Sequence, residues 1–499
     1  MLEALQHGIA EVFTVEALLF IAFGVLWGTV GGIIPGINAT IAMALLLPFT
    51  YTMDSTVAIM MLAGVYCGGE YGGSIPAVLI GVPGTNAAAC TIIDGYPLHK
   101  KGRTGLGLYV SLFSSVFGGL YSAAFLVILA IPLAKVALAF GPAEYFALAF
   151  LGLSMVCSLG ERNVFKGILA GLFGILLSTI GFDTFTGAKR FTFGLLNLNS
   201  GISMVALMMG LYAITEMFDQ AQRYKAGTDL NVGGVKPDLG MPKWKEIKPL
   251  VPWMVFGSTI GTLVGVMPGA GATAAAFLSY NETKRFSRQT GFGEGNPLGV
   301  VAPESANNGA TGGAMVPLLS LGIPGSNSTA IMLAAFSIHG INAGPMLFTS
   351  RPEVPYGLFV SLFVANFFMI WIGWACIKSA MRITSIPKPV LISVIIALVF
   401  TGTFAYSGEV FSMYIALIVG ILGVVMRKFN VPSAAIVLGF VLGKIMEANL
   451  RRALIISRGS YFRAFSNSPL SSILLILAVA SILTALYSNL RGKKRTFEI

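Results

Sequence analysis

The chain alternates long apolar segments with short polar ones, and the apolar segments are long enough to cross a bilayer. About 20 apolar residues span the hydrocarbon core as a helix, and lipid offers no partner for an open strand edge. The pattern therefore predicts an all-α polytopic membrane protein with about 10–12 transmembrane elements. The apolar runs lie at 15–34, 105–131, 142–159, 164–181, 201–218, 250–267, 356–376, 389–405, 411–426, 432–447 and 469–488.

A second kind of segment is apolar but repeatedly interrupted by Gly, Pro, Asn, Ser and Thr. A regular lipid-facing helix with such interruptions would leave backbone groups unpaired. We therefore expect discontinuous or re-entrant helices, buried in protein or lining an aqueous cavity. These segments occupy 35–50, 64–93, 268–280 and 302–338.

Two blocks of the interrupted segments occur twice. GTVGGIIPGINAT at 28–40 matches GTLVGVMPGAGAT at 261–273 with an offset of 233, and GGSIPAVLIGVPGTNAA at 72–88 matches GAMVPLLSLGIPGSNST at 313–329 with an offset of 241. The shared order and similar offsets predict a duplication with two pseudo-symmetric halves. The expected organisation is a first transmembrane half at 1–218 with its motifs in 28–93, a cytoplasmic linker at 219–249, and a second half at 250–499 with its motifs in 261–338.

Basic loops predict that the two halves are inverted. The loops at 94–104, 219–248, 281–298 and 377–388 carry Lys and Arg and are expected on the cytoplasmic side. The last of them places the 339–355 linker outside, whereas its counterpart 94–104 is inside. Opposite orientations of two repeats are common in secondary transporters. Basic clusters on both sides of the last apolar run leave the side of the C-terminus open.

Composition narrows the class of protein. Apolar residues make up 55% of the chain and charged residues only 11%. This composition cannot form the polar surface of a soluble globular protein. The net charge of +11 comes from Lys and Arg in short clusters between the apolar segments, which argues against a nucleic-acid-binding face. The cysteines have no C-x-x-C spacing and are expected to pack in the core; they are Cys67, Cys90, Cys157 and Cys376.

Each repeat contains two Pro-Gly turns followed by small polar residues: PGINAT and PGTNAA, then PGAGAT and PGSNST. A Pro-Gly break ends one half-helix and starts another. The new N-terminus exposes backbone N–H groups and partial positive charge, which attract a carboxylate. Carbonyl ends with Thr and Asn oxygens suit a sodium ion. Four such breaks predict one shared site for an anion and its coupling cations; the alternative is that these glycines serve only helix packing.

Several ionisable or amide residues lie in or near the repeats. For Glu70 and Glu304, a cation-coupling or proton-relay role competes with a structural cap or polar pairing. Asn307 and Asn308 adjoin Glu304, so their amide oxygens could converge with its carboxylate at a coupling site; the alternative is a simple helix break. Two histidines, His99 and His339, are expected in solvent. Lys444 and Glu447 are expected to snorkel or to pair at the membrane interface.

No G-x-S-x-G, H-E-x-x-H or Walker A motif is present in the sequence. We therefore expect that the protein is not an enzyme and that it holds no cofactor and no metal beyond a transported sodium ion. Energy must come from an ion gradient or from a partner. An anion channel and a membrane-embedded enzyme remain the rival interpretations, and the enzyme lacks a nucleophile with a partner base.

The quoted motifs, together with APESANNGATGG at 302–313 and VPSAAIVLGFVLGKIMEANLRRAL at 431–454, resemble those of the large membrane subunit of the tripartite tricarboxylate transporter (TctA) family. The resemblance extends over essentially the whole chain. It implies a multi-pass bacterial inner-membrane permease that works with a small membrane subunit and a periplasmic substrate-binding protein. It further implies import of citrate-like or other carboxylates, coupled to sodium or protons. Whether the protein forms a homo-oligomer is left open.

The resemblance also assigns candidate substrate contacts. It implies side-chain contacts from Asn38, Thr40, Thr85, Asn86, Thr273, Ser326 and Asn327, and backbone contacts from Gly36, Gly84, Gly269 and Gly325. Which of these residues contact substrate and which contact a cation is left open.

Overall fold

A computed structural model describes residues 2–34, 36–159, 164–225, 238–269, 271–383 and 387–490, and these are almost entirely helical. Before the gap at 226–237 the helices are α1 Leu2–Val12, α2 Val15–Ile33, α3 Ala39–Leu46, α4 Ser55–Gly72, α5 Ser74–Ile80, α6 Ala88–Lys100, α7 Thr104–Ala137, α8 Pro142–Leu159, α9 Val164–Ser178, α10 Met204–Met208 and α11 Thr215–Lys225. After it they are α12 Trp244–Ile247, α13 Val251–Val266, α14 Gly271–Ser287, α15 Leu298–Leu321, α16 Asn327–Ile338, α17 Leu347–Ser350, α18 Glu353–Ile383, α19 Lys388–Ser407, α20 Val410–Lys428, α21 Ser433–Ile456, α22 Tyr461–Ser466 and α23 Pro469–Leu490.

Short elements connect these helices. Strands β1 Gly181–Phe182 and β2 Lys189–Arg190 form an antiparallel pair after α9. A π-helical turn joins α10 to α11, and 3-10 segments lie at Leu47–Thr52, Leu196–Leu198 and Lys248–Leu250.

Eight helices in the described parts of the chain are long and apolar enough to cross a membrane, which confirms the all-α polytopic class. They are Val15–Ile33, Thr104–Ala137, Trp244–Val266, Glu353–Ser379, Pro389–Ser407, Val410–Lys428, Ser433–Ile456 and Pro469–Tyr487.

The predicted run at 201–218 is divided in the structure. The π-helical turn Met209–Ile214 interrupts it. The hydroxyl of Thr215 donates to the carbonyl oxygens of Gly210 (3.0 Å) and Gly420 (3.2 Å), so it bonds a carbonyl within the widened turn and another on α20. The predicted run at 164–181 is also shorter, because α9 ends at Ser178.

Two glycine-rich stretches are less interrupted than the sequence predicted. Helix α4 continues to Gly72, and α15 is continuous from Leu298 to Leu321 although it contains two prolines. The side chains of α15 are buried from Leu298 to Ser320, so tertiary packing offsets the low helix propensity of its glycines. No helix break therefore occurs at Asn307 or Asn308. The chain leaves helical geometry at 36–38, 81–87, 267–269 and 322–326 instead.

Glycines bring two helix pairs into close contact in the same way. A Cβ atom on any of three glycines of α2 would overlap backbone carbonyls of α4, and the same holds for three glycines of α13 against α15. The first set is Gly24, Gly28 and Gly32 facing Met61, Val65 and Gly69, and the second is Gly257, Gly261 and Gly265 facing Ala302, Ala306 and Ala310. The two sets of glycines differ by 233 and their partners by 241, the offsets of the sequence repeat. This packing is what a duplication would produce, while the inversion of the halves stays a prediction.

The two halves share their interior. Helix α15 packs against α7 as well as α13 and α14. Asp94 on α6 is buried and accepts hydrogen bonds from the backbone N–H groups of Gly293 and Gly295 (both 2.9 Å) and Asn296 (2.8 Å). Its second carboxylate oxygen accepts from the hydroxyl of Tyr280 at 2.9 Å. One carboxylate thus ties α6 to α14 and to the loop before α15.

Candidate functional site

One cavity is lined by residues that follow all four Pro-Gly turns. Its volume is about 100 Å³, enough for several waters, each of which needs about 10–15 Å³. The lining contains all seven side chains predicted as substrate contacts. It consists of Asn38, Thr40, Tyr66, Glu70, Thr85, Asn86, Ala87, Gly271, Ala272, Thr273, Ser326, Asn327 and Ser328.

The first turn connects α2 to α3. Gly36 has a φ of 93°, which favours glycine, and Pro35 lies outside the described residues. The side chain of Asn38 caps α3 by accepting a hydrogen bond from the N–H of Ile41 at 2.9 Å. Gly36 itself lies beside Glu216 and Gln220 of α11 rather than in the cavity.

The second turn connects α5 to α6. Helix α5 ends at Gly81 in a left-handed conformation with φ 67°. The N–H of Gly84 donates to the carbonyl of Gly73 (3.1 Å), and a Cβ on Gly84 would overlap the carbonyl of Gly32. Thr85 then accepts from the N–H of Ala88 (3.3 Å) at the start of α6. Gly84 therefore supports the turn, and Thr85 and Asn86 face the cavity.

The third turn is joined to the fourth by the backbone. Gly269 has φ 81°, and its N–H donates to the carbonyl of Gly325 at 3.0 Å. Helix α14 begins directly afterwards at Gly271, so Thr273 lies in its first turn, on the cavity. Gly269 and Gly325 are not part of the cavity lining.

The fourth turn connects α15 to α16. Helix α15 ends at Gly322 with φ 72°. Ser326 caps α16 by accepting from the N–H of Thr329 (3.2 Å), while the Thr329 hydroxyl accepts from the N–H of Ser326 (2.7 Å). This reciprocal cap fixes the helix start that carries Asn327.

Two hydrogen bonds join the first half to the second across the cavity. The hydroxyls of Thr40 and Ser328 lie 3.0 Å apart, and those of Tyr66 and Ser326 lie 3.1 Å apart. Tyr66 and Ser328 line the cavity but were not predicted from the sequence. Ser328 lies within the PGSNST motif, so its hydroxyl was an available signal, whereas Tyr66 is embedded in an apolar run of α4.

The cavity lining carries few charged side chains. Among the residues that the structure describes, the lining contains one charged side chain, Glu70, and no Lys, Arg or His. Positive potential comes instead from the first turns of α3, α6, α14 and α16, whose N–H groups are not all used within their helices. The arrangement can hold a carboxylate by backbone N–H groups, hydroxyls and amides.

The other predicted coupling residues lie outside the cavity lining. Glu304 is buried and accepts hydrogen bonds from the hydroxyls of Thr91 and, at 3.0 Å, Ser115. The side-chain amide of Asn307 donates to the carbonyl of Glu70 (3.0 Å), and that of Asn308 donates to the carbonyl of Cys67 (3.2 Å). These asparagines hold α15 against α4.

The structure also shows the contacts of Glu447, Lys444 and His99, three residues considered in the sequence analysis. Glu447 forms ion pairs with Arg190 and Arg451, each at 2.6 Å, in agreement with the predicted pairing, and Lys444 lies over the Phe440 ring. The expectation that His99 is solvent-exposed was wrong. Its side chain is 8% exposed, because α6 extends through it and its Nδ1 lies 2.9 Å from the hydroxyl of Thr104.

The remaining minor predictions have mixed outcomes. His339 is half-buried. Cys67, Cys90 and Cys376 are free and buried, as expected of packing residues. The side chain of Cys157 lies outside what the structure describes, as do residues 226–237 of the linker and the basic cluster after 490.

Comparison with known proteins identifies the family. The profile of the tripartite tricarboxylate transporter TctA family matches residues 18–438. An uncharacterized 52.8 kDa protein of Agrobacterium vitis, from the 3' region of ttuC' in TAR-I, is 36% identical over 496 residues, covering 99% of this chain and 98% of its own. A second protein of that organism, from the corresponding TAR-II region, is 36% identical over 235 residues, covering 47% of this chain and 97% of its own. No solved structure matches the chain. The chain thus belongs to the tripartite tricarboxylate transporter TctA family and is a multi-pass membrane subunit of a transporter.

Proposed function

We propose that this protein is the ion-gradient-driven permease subunit that imports citrate-like tricarboxylates or related carboxylates across the bacterial inner membrane. It receives substrate from a periplasmic binding protein and works beside a small membrane subunit. The observation that carries this proposal is that residues following all four Pro-Gly turns line one cavity, and that none of the described residues of this lining is basic. The proposal also rests on the membership of the chain in the TctA family.

The cavity recognises the anion through helix starts. The first turns of α3 and α16 are capped by Asn38 and Ser326, which leaves further N–H groups and hydroxyls for a ligand. Asn86 and Asn327 supply amide groups from opposite halves of the chain. A carboxylate binds between them, and movement of one unit against the other alternates access by an elevator or a rocking motion.

Coupling requires a positive charge, because Glu70 lies on the same cavity as the anionic substrate. A proton on Glu70 or a sodium ion beside it removes the like-charge repulsion. Glu304, Asn307 and Asn308 belong to the coupling region in this proposal, since both asparagines contact α4 near Glu70. No enzymatic step and no resident cofactor are required.

The experiment is uptake of a labelled carboxylate, chosen by screening against the binding protein, into proteoliposomes that contain the full transporter. We expect Asn86→Ala and Asn327→Ala to lose most uptake at normal membrane insertion. Asn467→Ala, which alters an exposed asparagine outside the cavity, serves as control. Wild-type uptake by both cavity variants contradicts the site assignment.

Two further measurements separate the alternatives. Substrate-driven counterflow supports a carrier, whereas currents far above carrier turnover support an anion channel. Replacement of sodium by choline at fixed pH distinguishes sodium from proton coupling. A permease of this family for a different organic anion is distinguished by the substrate screen.

A further inference from the structure

A second polar cluster lies in the core, outside the cavity, where α4, α7, α15 and α18 come together. It consists of Cys67, Ser122, Asn308, Thr311 and Asn366, and we call it the asparagine cluster. Every member is at most 1% exposed. Asn366 lies in the middle of α18, far from the Pro-Gly motifs in sequence. The cluster is therefore a buried polar site that the repeats alone do not account for.

Each amide and hydroxyl group of the cluster donates at least one hydrogen bond. The amide of Asn366 donates to the carbonyl of Leu362 at 2.8 Å and contacts the thiol of Cys67 at 3.9 Å. The amide of Asn308 donates to the carbonyl of Cys67. The hydroxyl of Thr311 donates to the carbonyl of Asn308 at 2.7 Å. Ser122 donates to the carbonyls of Gly119 (3.1 Å) and Asn308 (3.4 Å).

Two side-chain acceptors of the cluster are not used. The amide oxygens of Asn308 and Asn366 are buried and receive no hydrogen bond from the described parts of the chain. An unsatisfied buried acceptor is destabilising, and such groups call for a bound ion or water. A Cβ on Gly119 would overlap the Asn366 amide oxygen, so a glycine at this position is needed to admit that oxygen.

The chemistry of the cluster favours a monovalent cation. Its potential ligands are neutral oxygens from amides, hydroxyls and backbone carbonyls, whereas Ca²⁺ sites use carboxylates and Mg²⁺ keeps several waters. The nearest acidic residue along α4 is Glu70, one turn after Cys67. Carbonyl-type oxygens are the ligands that sodium takes in secondary transporters.

We infer that the asparagine cluster binds one dehydrated sodium ion, with the amide oxygens of Asn308 and Asn366 as ligands. This inference rests on the proposed transport function and names its coupling ion. Helix α4 links the two sites, because it carries Cys67 in the cluster and both Tyr66 and Glu70 in the cavity. A cation bound in the cluster holds α4 against α15 and adds positive charge near Glu70. It thereby favours the entry of an anion into the cavity.

The test is thermal unfolding of the purified full-length protein, without substrate, in choline, sodium, lithium or potassium chloride at one ionic strength and pH. We expect a saturable rise in Tm that is specific to sodium. Asn366→Leu and Thr311→Val should abolish the rise or increase the half-saturating sodium concentration at least about tenfold, a loss of 1.4 kcal/mol. Asn449→Leu is the matched control, because Asn449, like Asn366, donates to the carbonyl four residues earlier.

The cavity variant Asn86→Ala should lose uptake but keep the sodium-dependent rise in Tm, which separates this inference from the proposed function. A wild-type protein without a sodium-specific rise overturns the inference, as does a rise that survives Asn366→Leu. If Asn366→Leu does not fold, Asn366→Ser and Thr311→Val decide the question by the same titration. Coupling by protons alone would appear as uptake without any sodium effect and also overturns it.

Discussion

The hydroxyl of Thr40 lies 3.0 Å from the hydroxyl of Ser328, and this pair joins the first Pro-Gly turn of the chain to the last. Both side chains are buried and line the cavity. The two residues are 288 positions apart. The cavity therefore exists only when both halves of the protein are assembled.

We expect the Thr40–Ser328 pair to be energetically coupled in uptake. Thr40→Val and Ser328→Ala each leave one buried hydroxyl without its partner, so each should reduce uptake. The double variant should lose less than the sum of the single losses, with a coupling of about 0.5–1.5 kcal/mol. Uptake rates of the four proteins give this value, and Thr484→Val, an exposed site, is the control. Strict additivity would contradict a direct interaction.

Glu70→Gln should separate binding from coupling. The substitution keeps the shape of Glu70, the one charged side chain among the described residues of the cavity lining, but removes its charge. We expect counterflow of substrate to persist while concentrative uptake driven by the ion gradient is lost. Glu409→Gln, which changes an exposed glutamate, should transport normally. Gradient-driven accumulation at the wild-type level in Glu70→Gln would exclude Glu70 from coupling.

Gly84→Ala should disrupt the second Pro-Gly turn. The added methyl group would overlap the backbone carbonyl of Gly32, which has no flexible end to move. Overpacking of this kind costs about 1–3 kcal/mol, so both Tm and uptake should fall. At Gly152 a methyl group would lie 3.4 Å from the nearest atom, in the side chain of Ile323. Gly152→Ala should therefore behave like wild type, and equal behaviour of the two variants would argue against the turn geometry.

Asp94→Asn should destabilise the contact between α6 and the loop before α15. Three backbone N–H groups donate to one carboxylate oxygen of Asp94, and hydrogen bonds to a charged group contribute about 1.5–3 kcal/mol each. We expect a loss of roughly 2–3 kcal/mol in the free energy of unfolding, since the amide oxygen can still accept. Tyr280→Phe removes only one bond and should cost less. A variant as stable as wild type would show that the loop is fixed by other contacts.

Stability in acid should depend on Asp183, in the loop between α9 and α10. Hydrogen bonds from the N–H of Phe185 and from Arg451 hold the pKa of Asp183 at about 2. Its contribution to stability is therefore complete above the unfolded pKa of about 4 and is lost as the pH falls through about 2. Tm measured between pH 5 and pH 2 should fall less steeply in Asp183→Asn than in wild type. Asp238→Asn, at an exposed aspartate, should leave the slope unchanged; equal slopes in all three proteins would contradict the prediction.

The turns of the candidate site could be predicted because their chemistry is local. Gly36 and Gly269 need positive φ, and the small polar residues after each Pro-Gly pair fall at helix starts. Tyr66 could not be found in this way. It lies in an apolar run, and its hydroxyl is recognised as part of the site only through its hydrogen bond with Ser326, which is 260 residues away.

In the region around Glu304, local sequence features gave a wrong prediction of the backbone. The prolines, glycines and amides of this region indicated an interrupted helix, yet α15 is continuous and buried there. Intrinsic propensity is weak compared with burial against several neighbouring helices. The neighbours of a helix depend on contacts between residues far apart in the sequence. The sequence therefore marked Asn307 and Asn308 as candidate polar residues but did not indicate that they bond to α4.

No basic side chain lies among the described residues of the cavity lining, and under the proposed function this bears on how such a permease diversifies. The peptide groups that attract negative charge are present whatever the side chains are, so no single amino-acid replacement on the lining deletes them. If the cavity binds carboxylates as proposed, descendants of one ancestral gene can exchange the preferred acid by altering a hydroxyl or an amide, while the preference for acids is inherited with the main chain.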